Sequence, residues 1–126
     1  MTEAPRKPSI LVIDDDKTIR DLLLRVLTVA GYEVHAASNG LKLLSTLKVN
    51  RPDLVILDIM MSWIDGLELC RIIKKTEEFR HIPVLFLSGK GAQDDLRKGY
   101  EVGCADYLTK PVDNEVLLEH VRALLS

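Results

Sequence analysis

Residues 10–16 read Ile-Leu-Val-Ile-Asp-Asp-Asp: four consecutive apolar residues, three of them β-branched, halted by three carboxylates. An apolar run this short, with no polar alternation, is the pattern of a strand buried on both faces of a parallel sheet. The pattern recurs along the chain. Leu54-Val55-Ile56-Leu57 stops at Asp58, and the apolar residues 83–87 stop at Ser88-Gly89. A run centred on Tyr107-Leu108-Thr109 stops at Lys110-Pro111, and residues 32–36 supply one more strand.

Between these runs the apolar period changes to three and four, which places the apolar residues on one face of a helix. Ile19, Leu22, Leu23, Val26, Leu27 and Ala30 form the first such face, closed by Gly31, the residue type expected just past a helix C-terminus. A second helix is expected to open at Asn39-Gly40 with Leu41, Leu44 and Leu47 inward, ending before Arg51-Pro52. Leu67, Leu69, Cys70 and Ile73 mark a third, and residues 93–102, closed by Gly103, a weaker fourth. Val116, Leu117, Val121 and Leu124 are the expected inward residues of the last. Five strands alternating with five helices give an α/β doubly wound parallel sheet with right-handed crossovers. Residues 1–8, polar and carrying Pro5 and Pro8, read as a short flexible tail, leaving residues 9–126 as one domain.

Composition supports that reading and removes several classes. At 126 residues, folding takes roughly two-thirds of the chain's surface out of water, enough for a core without staples. Apolar residues make up 47% and charged residues 29%, which is globular rather than disordered composition. Seventeen basic against nineteen acidic residues give a net charge of −2, so no global basic field draws the chain to nucleic acid or to anionic lipid. No apolar run approaches ~18 residues, and the start lacks the apolar stretch of a secretory signal. Cys70 and Cys104 form neither a Cys-x-x-Cys pair nor a metal cluster, so a cytoplasmic, reducing location is expected, with the thiols packing as small apolar residues.

In a doubly wound sheet, ligands sit at the carboxyl ends of the strands. Those ends carry Asp14-Asp15-Asp16, Asp58, Ser88 and Lys110. Carboxylates brought together repel one another unless a cation joins them or a pKa rises. Hard oxygen ligands in small number suit Mg²⁺, and a lysine with a hydroxyl complements phosphoryl oxygens. The set reads as a magnesium-assisted phosphoryl-transfer site with a carboxylate as nucleophile. Singly, each residue has a plainer reading. Asp16 suits the N-cap of the first helix, Asp58 and Ser88-Gly89 suit turns, and Lys110-Pro111 suits a loop whose peptide bond can be cis.

Four passages, ILVIDDD, PDLVILDIMMSWIDGLEL, IPVLFLSGKG and VGCADYLTKP, occur in this order. On them, the chain resembles the response-regulator receiver domains of two-component signalling, including the chemotaxis regulators, over nearly all of residues 9–125. The resemblance implies a flavodoxin-like sheet of order 2-1-3-4-5. Asp58 matches the aspartate that accepts a phosphoryl group from a histidine kinase or phosphotransfer protein. Asp14 and Asp15 match the acidic pair that holds Mg²⁺ (or Mn²⁺) together with Asp58, Asp15 directly and Asp14 partly through water. Met60 matches the residue whose backbone carbonyl completes the metal shell. Ser88 and Lys110 match the groups that bind the phosphoryl oxygens, and Tyr107 the aromatic that turns inward when the Ser88 hydroxyl moves.

The implied output is a switch of the face made by the fourth helix, fifth strand and fifth helix, biased by a local change of charge. Such domains act on a downstream effector and can pair with a second copy through that face. The expected protein is a signalling phosphoprotein, not an enzyme beyond its own phosphorylation and dephosphorylation, with no membrane or direct nucleic-acid contact. Met1 favours a stand-alone regulator over a domain of a longer protein. Ser62 departs from the family's usual proline, which loosens the loop after Asp58 and bears on metal affinity and phosphoryl lifetime. Trp63 beside it reads as loop packing or a partner contact, and Asp65-Gly66 as a turn without chemistry.

Two rival readings use the same residues. Asp14-x-Asp16-x-Thr18 after a strand also fits the first motif of haloacid-dehalogenase-type phosphohydrolases, with Asp14 as nucleophile and Asp16 as acid–base. That reading leaves Asp58 without a task. The other rival is a receiver-shaped binding module independent of phosphorylation, whose members usually lack the acceptor, the acidic pair or the lysine. A flavin or nucleotide binder would need a Gly-rich phosphate loop, which is missing. His35, His81 and His120 are scattered and read as packing residues.

Overall fold

The computed structural model describes residues 6–41, 43–61 and 64–126. Five parallel strands, β1 (Ser9–Ile13), β2 (Glu33–Ala37), β3 (Leu54–Leu57), β4 (Val84–Ser88) and β5 (Asp106–Thr109), lie in the order β2-β1-β3-β4-β5. They alternate with α1 (Lys17–Val29), α2 (Leu43–Val49), α3 (Gly66–Lys75), α4 (Gln93–Glu101) and α5 (Asn114–Leu125). The expected α/β doubly wound architecture and strand order are both present.

The three inner strands are buried along their whole length, as continuous apolar runs require. The edge strands differ: β2 and β5 are only partly covered, and their sequences admit Glu33, His35 and Asp106. One face of the sheet carries Ile10, Val12, Leu54, Ile56, Leu85 and Leu87 against Leu23 and Leu27 of α1 and Leu117 and Val121 of α5. The other carries Leu11, Ile13, Val55, Leu57 and Phe86 against Leu43 and Leu47 of α2 and Leu69, Cys70 and Ile73 of α3. Period-two alternation thus sends neighbouring strand residues into two separate cores.

Capping sets several helix starts. The Asp16, Asp65 and Asp113 carboxylates accept the backbone N–H two residues on, from Thr18, Leu67 and Glu115. Before α4, Asp95 reaches back to the Ala92 N–H at 3.2 Å. Gly31 and Gly103, with φ of 103° and 102°, follow α1 and α4 in the left-handed region that glycine occupies without a steric cost.

Three helix faces differ from expectation. On α1, Leu22 and Ala30 are exposed, and Leu23 with Leu27 forms the buried pair. Helix α2 begins at Leu43, several residues later than Asn39-Gly40, because Asn39 Oδ1 accepts the Leu41 N–H in a turn. Leu47 is inward as expected, with Leu43 four residues before it, whereas Leu41 and Leu44 are exposed. On α5, Val116 is also exposed, and Leu117 with Val121 forms the buried pair four residues apart. Ser62 and Trp63 lie outside the described residues, as do residues 1–5 of the expected tail.

Candidate functional site

Register brings the strand-end residues together. Ile13 pairs with Leu57, so Asp14 and Asp58 emerge side by side from β1 and β3. Backbone bonds extend the ladder one step, from Asp58 N–H to Ile13 O at 3.0 Å and from Asp14 N–H to Ala37 O at 3.2 Å. Ser88 pairs with Thr109, so Lys110 leaves β5 level with the end of β4. The Lys110–Pro111 bond is cis.

The Lys110 side chain crosses the end of β4. Its Nζ donates to Asp14 Oδ2 at 2.7 Å and to Asp58 Oδ2 at 3.2 Å. Asp14 is 2% and Asp58 7% exposed, so these are carboxylates withdrawn from most of their water. Each has a backbone donor on its other oxygen. Asp16 N–H reaches Asp14 Oδ1 at 2.9 Å, and Met60 N–H reaches Asp58 Oδ1 at 3.3 Å. Arg20 ties the same corner down through Nη1 to the Asp14 carbonyl at 2.8 Å.

The buried groups shift one another's titration. Burial pushes the Asp58 carboxyl up, Lys110's charge opposes this, and Asp14's charge reinforces it. Burial works to lower Lys110, but its hydrogen bond to Asp14 and the charges of Asp58 and Asp14 outweigh it and hold the ammonium above its usual range. Oxygens of Asp14, Asp15 and Asp58 can all lie within 4.8 Å of one another. Three carboxylates thus meet at one point, with the Lys110 ammonium bonded to two of them. An all-oxygen donor set fits Mg²⁺ or Mn²⁺ rather than a soft metal.

The remaining expected residues surround this centre. Met60 exposes 61% of its surface, and its backbone N–H is the group bonded to Asp58. Beside it an open cleft is lined by Asp15, Met60, Met61, Asp65 and Lys90. Ser88 is fully buried, and its hydroxyl accepts the Lys90 N–H at 3.2 Å. Tyr107 points inward: its ring packs on Phe86 with centroids 5.8 Å apart, and its hydroxyl donates to the Lys90 carbonyl. Asp16 is not in the carboxylate cluster, and its Oδ1 caps α1 by accepting the Thr18 N–H at 2.9 Å.

Arg20 and Gly66 were not among the expected site residues. Gly66 donates its N–H to the Ile59 carbonyl at 2.8 Å. A Cβ there would overlap the Asp58 carbonyl and stand 2.7 Å from Ile59 Cα. The Asp65-Gly66 pair therefore holds the loop after Asp58 as well as starting α3, a role that spacing along the chain does not reveal. His120, read as packing, binds Asp106 through Nδ1, and Tyr100 reaches the same carboxylate at 3.4 Å, joining α4, β5 and α5.

Residues 10–122 match the response regulator receiver domain, and the chain belongs to that family. It is 43% identical over 118 residues to the DNA-binding dual master transcriptional regulator RpaA of Synechocystis sp., covering 94% of this chain and 49% of that protein. It is 42% identical to the response regulator MprA of a Mycobacterium species, covering 92% of this chain and 50% of that protein. Among solved structures, chemotaxis protein CheY4 of Vibrio cholerae superposes with a TM-score of 0.89 at 28% identity, covering 95% of this chain and all of that one.

The chain thus spans about half the length of the curated relatives it matches. One of these is named for binding DNA, so the expectation of no direct nucleic-acid contact finds no support among them. No helix of the described residues is long and apolar enough to cross a membrane.

Proposed function

We infer that this chain takes a phosphoryl group onto Asp58 from the phosphohistidine of a histidine kinase or phosphotransfer protein, with Mg²⁺ or Mn²⁺ held by Asp14, Asp15, Asp58 and the Met60 carbonyl. The observation that carries the reading is the Lys110 ammonium shared between Asp14 and Asp58, with Asp15 clustered beside them. Asp58 is held by both oxygens, one on Lys110 and one on the Met60 N–H, which orients the carboxylate for in-line attack. An Asp58 oxygen forms the new O–P bond as the N–P bond to the donor imidazole breaks, and the imidazole leaves with its electron pair. A divalent ion held by Asp14, Asp15 and Asp58 would supply positive charge against the transferring oxygens.

The acyl phosphate adds charge where Asp58 had one, and Lys110 gains a new partner. Ser88 turns toward a phosphoryl oxygen and gives up the Lys90 N–H, while Tyr107 holds the Lys90 carbonyl. Movement of that loop passes to α4, β5 and α5, the face offered to an effector or to a second copy. The protein works in the cytoplasm as the receiving half of a phosphorelay and turns over no substrate beyond its own acyl phosphate.

Acetyl phosphate with Mg²⁺ is the direct test. An adduct of about 80 Da that maps to Asp58 and is lost in Asp58→Asn supports the reading. No adduct under donor and metal saturation leaves a binding module independent of phosphorylation, and labelling retained in Asp58→Asn but lost in Asp14→Asn favours a hydrolase.

A further inference from the structure

Helix α4 is the most polar helix of the domain, reading Gln-Asp-Asp-Leu-Arg-Lys-Gly-Tyr-Glu, and Gly99 is its one buried residue. Glycine inside a helix is less favourable than alanine, so helix stability does not explain its presence. Backbone conformation does not explain it either, since the glycines with positive φ are Gly31 and Gly103. Its surroundings do. A Cβ on Gly99 would stand 2.9 Å from Tyr107 Cδ2, 3.2 Å from Tyr107 Cε2 and 3.3 Å from Phe86 Cδ2. The Tyr107 ring therefore has a seat with three sides: the Phe86 ring, the Lys90 carbonyl at its hydroxyl, and the bare Cα of Gly99.

We propose that Gly99 is the positioning residue of the Tyr107 switch, the place in α4 where a missing side chain admits the inward ring. The proposal rests on the reading of Tyr107 as the element that couples the crevice to the α4-β5-α5 face. A methyl group at position 99 removes space that the inward ring fills. Tyr107 sits on a strand fixed to β4, but its side chain has other staggered positions about χ1. The ring is the part that yields, and it leaves the seat. The separation of α4 from β5 at Gly99 thereby sets whether Tyr107 can turn inward, in either phosphorylation state.

The test uses protein labelled with 3-fluorotyrosine at Tyr32, Tyr100 and Tyr107, assigned by single Tyr→Phe changes. The readout is the shift of each ¹⁹F resonance between H₂O and D₂O, which reports exposure of the ring. Tyr107 is expected to be shielded in the wild type and exposed in Gly99→Ala, with Tyr32 unmoved. Gly99→Ala is expected to lower the melting temperature of the wild type and to raise it in a Tyr107→Ala background, where the ring is gone. A Tyr107 resonance still shielded in Gly99→Ala, or a rise in melting temperature in both backgrounds, overturns the proposal. Failure of acetyl phosphate to label the wild type would instead overturn the phosphoacceptor reading, and ring exposure would still decide the role of Gly99.

Discussion

Lys110 Nζ stands 2.7 Å from Asp14 and 3.2 Å from Asp58, bridging carboxylates from two strands although β4 lies between them and its own. The ammonium is nearer to the β1 carboxylate than to the one proposed to take the phosphoryl group. It acts as the protein's own counter-ion for a pair of buried acids, and a divalent ion arriving at Asp14 competes with it.

Magnesium should therefore stabilise the folded protein, because the carboxylates are clustered only in the native state. At ten times its Kd the gain is about 1.4 kcal/mol, by mass action on the folded form alone. Differential scanning fluorimetry should show a rising melting temperature with Mg²⁺, and Asp15→Asn should flatten the response. An unchanged temperature at millimolar Mg²⁺ would remove the metal from the site.

Removing single members of the charge cluster should have opposite signs. Lys110→Ala strands two buried acids without their cation and should cost about 2–3 kcal/mol in metal-free buffer, less with Mg²⁺ present. Asp58→Asn removes a desolvated carboxylate while the Asp14–Lys110 pair survives, and should stabilise by about 1 kcal/mol. Urea titrations of the two variants and of their combination give the coupling directly. Equal signs for the two changes would contradict the charge account.

Gly66→Ala should be costly out of proportion to one methyl group. Its Cβ meets the Asp58 carbonyl and Ile59 Cα, which are backbone and cannot turn aside. A loss of about 2–3 kcal/mol is expected, with slower labelling of Asp58 as the loop is displaced. Urea midpoints and the labelling time course check both parts.

The two cysteines should be inert at neutral pH. Burial pushes the Cys70 thiol up to about 11 and the Cys104 thiol up to about 12, from an ordinary 9.0. Iodoacetamide at pH 8 should modify neither in the native protein and both in denaturant. Above pH 9 the unfolded chain gives up these protons before the folded one does, so the thiols lower stability as pH rises toward 11. The wild type should consequently lose more stability over that interval than Cys70→Ala/Cys104→Ala, measured by urea midpoints.

The two-sided burial of β1, β3 and β4, and the placing of Asp14, Asp58 and Lys110 at strand ends, were legible along the chain, whereas the strand order came only from the family resemblance. The first two follow from local quantities: the length of an apolar run, the residue that ends it, and the rule that parallel strands finish on the same side. Asp16 was legible only as an alternative between cap and chemistry. The choice depends on which N–H lies within reach of its carboxylate, and that is the Thr18 N–H.

Other features needed the assembled molecule. The inward partner of Leu47 on α2 is Leu43 rather than Leu44, because a period of three or four does not state its own phase. Gly66 and Gly99 look like any other glycines until Asp58 and Tyr107 are packed against them. Runs and periods are written in neighbouring residues, and so can be read from order alone. Phase, close approach and the orientation of a ring depend on residues tens of positions away, and arise only when the sheet brings those residues into contact.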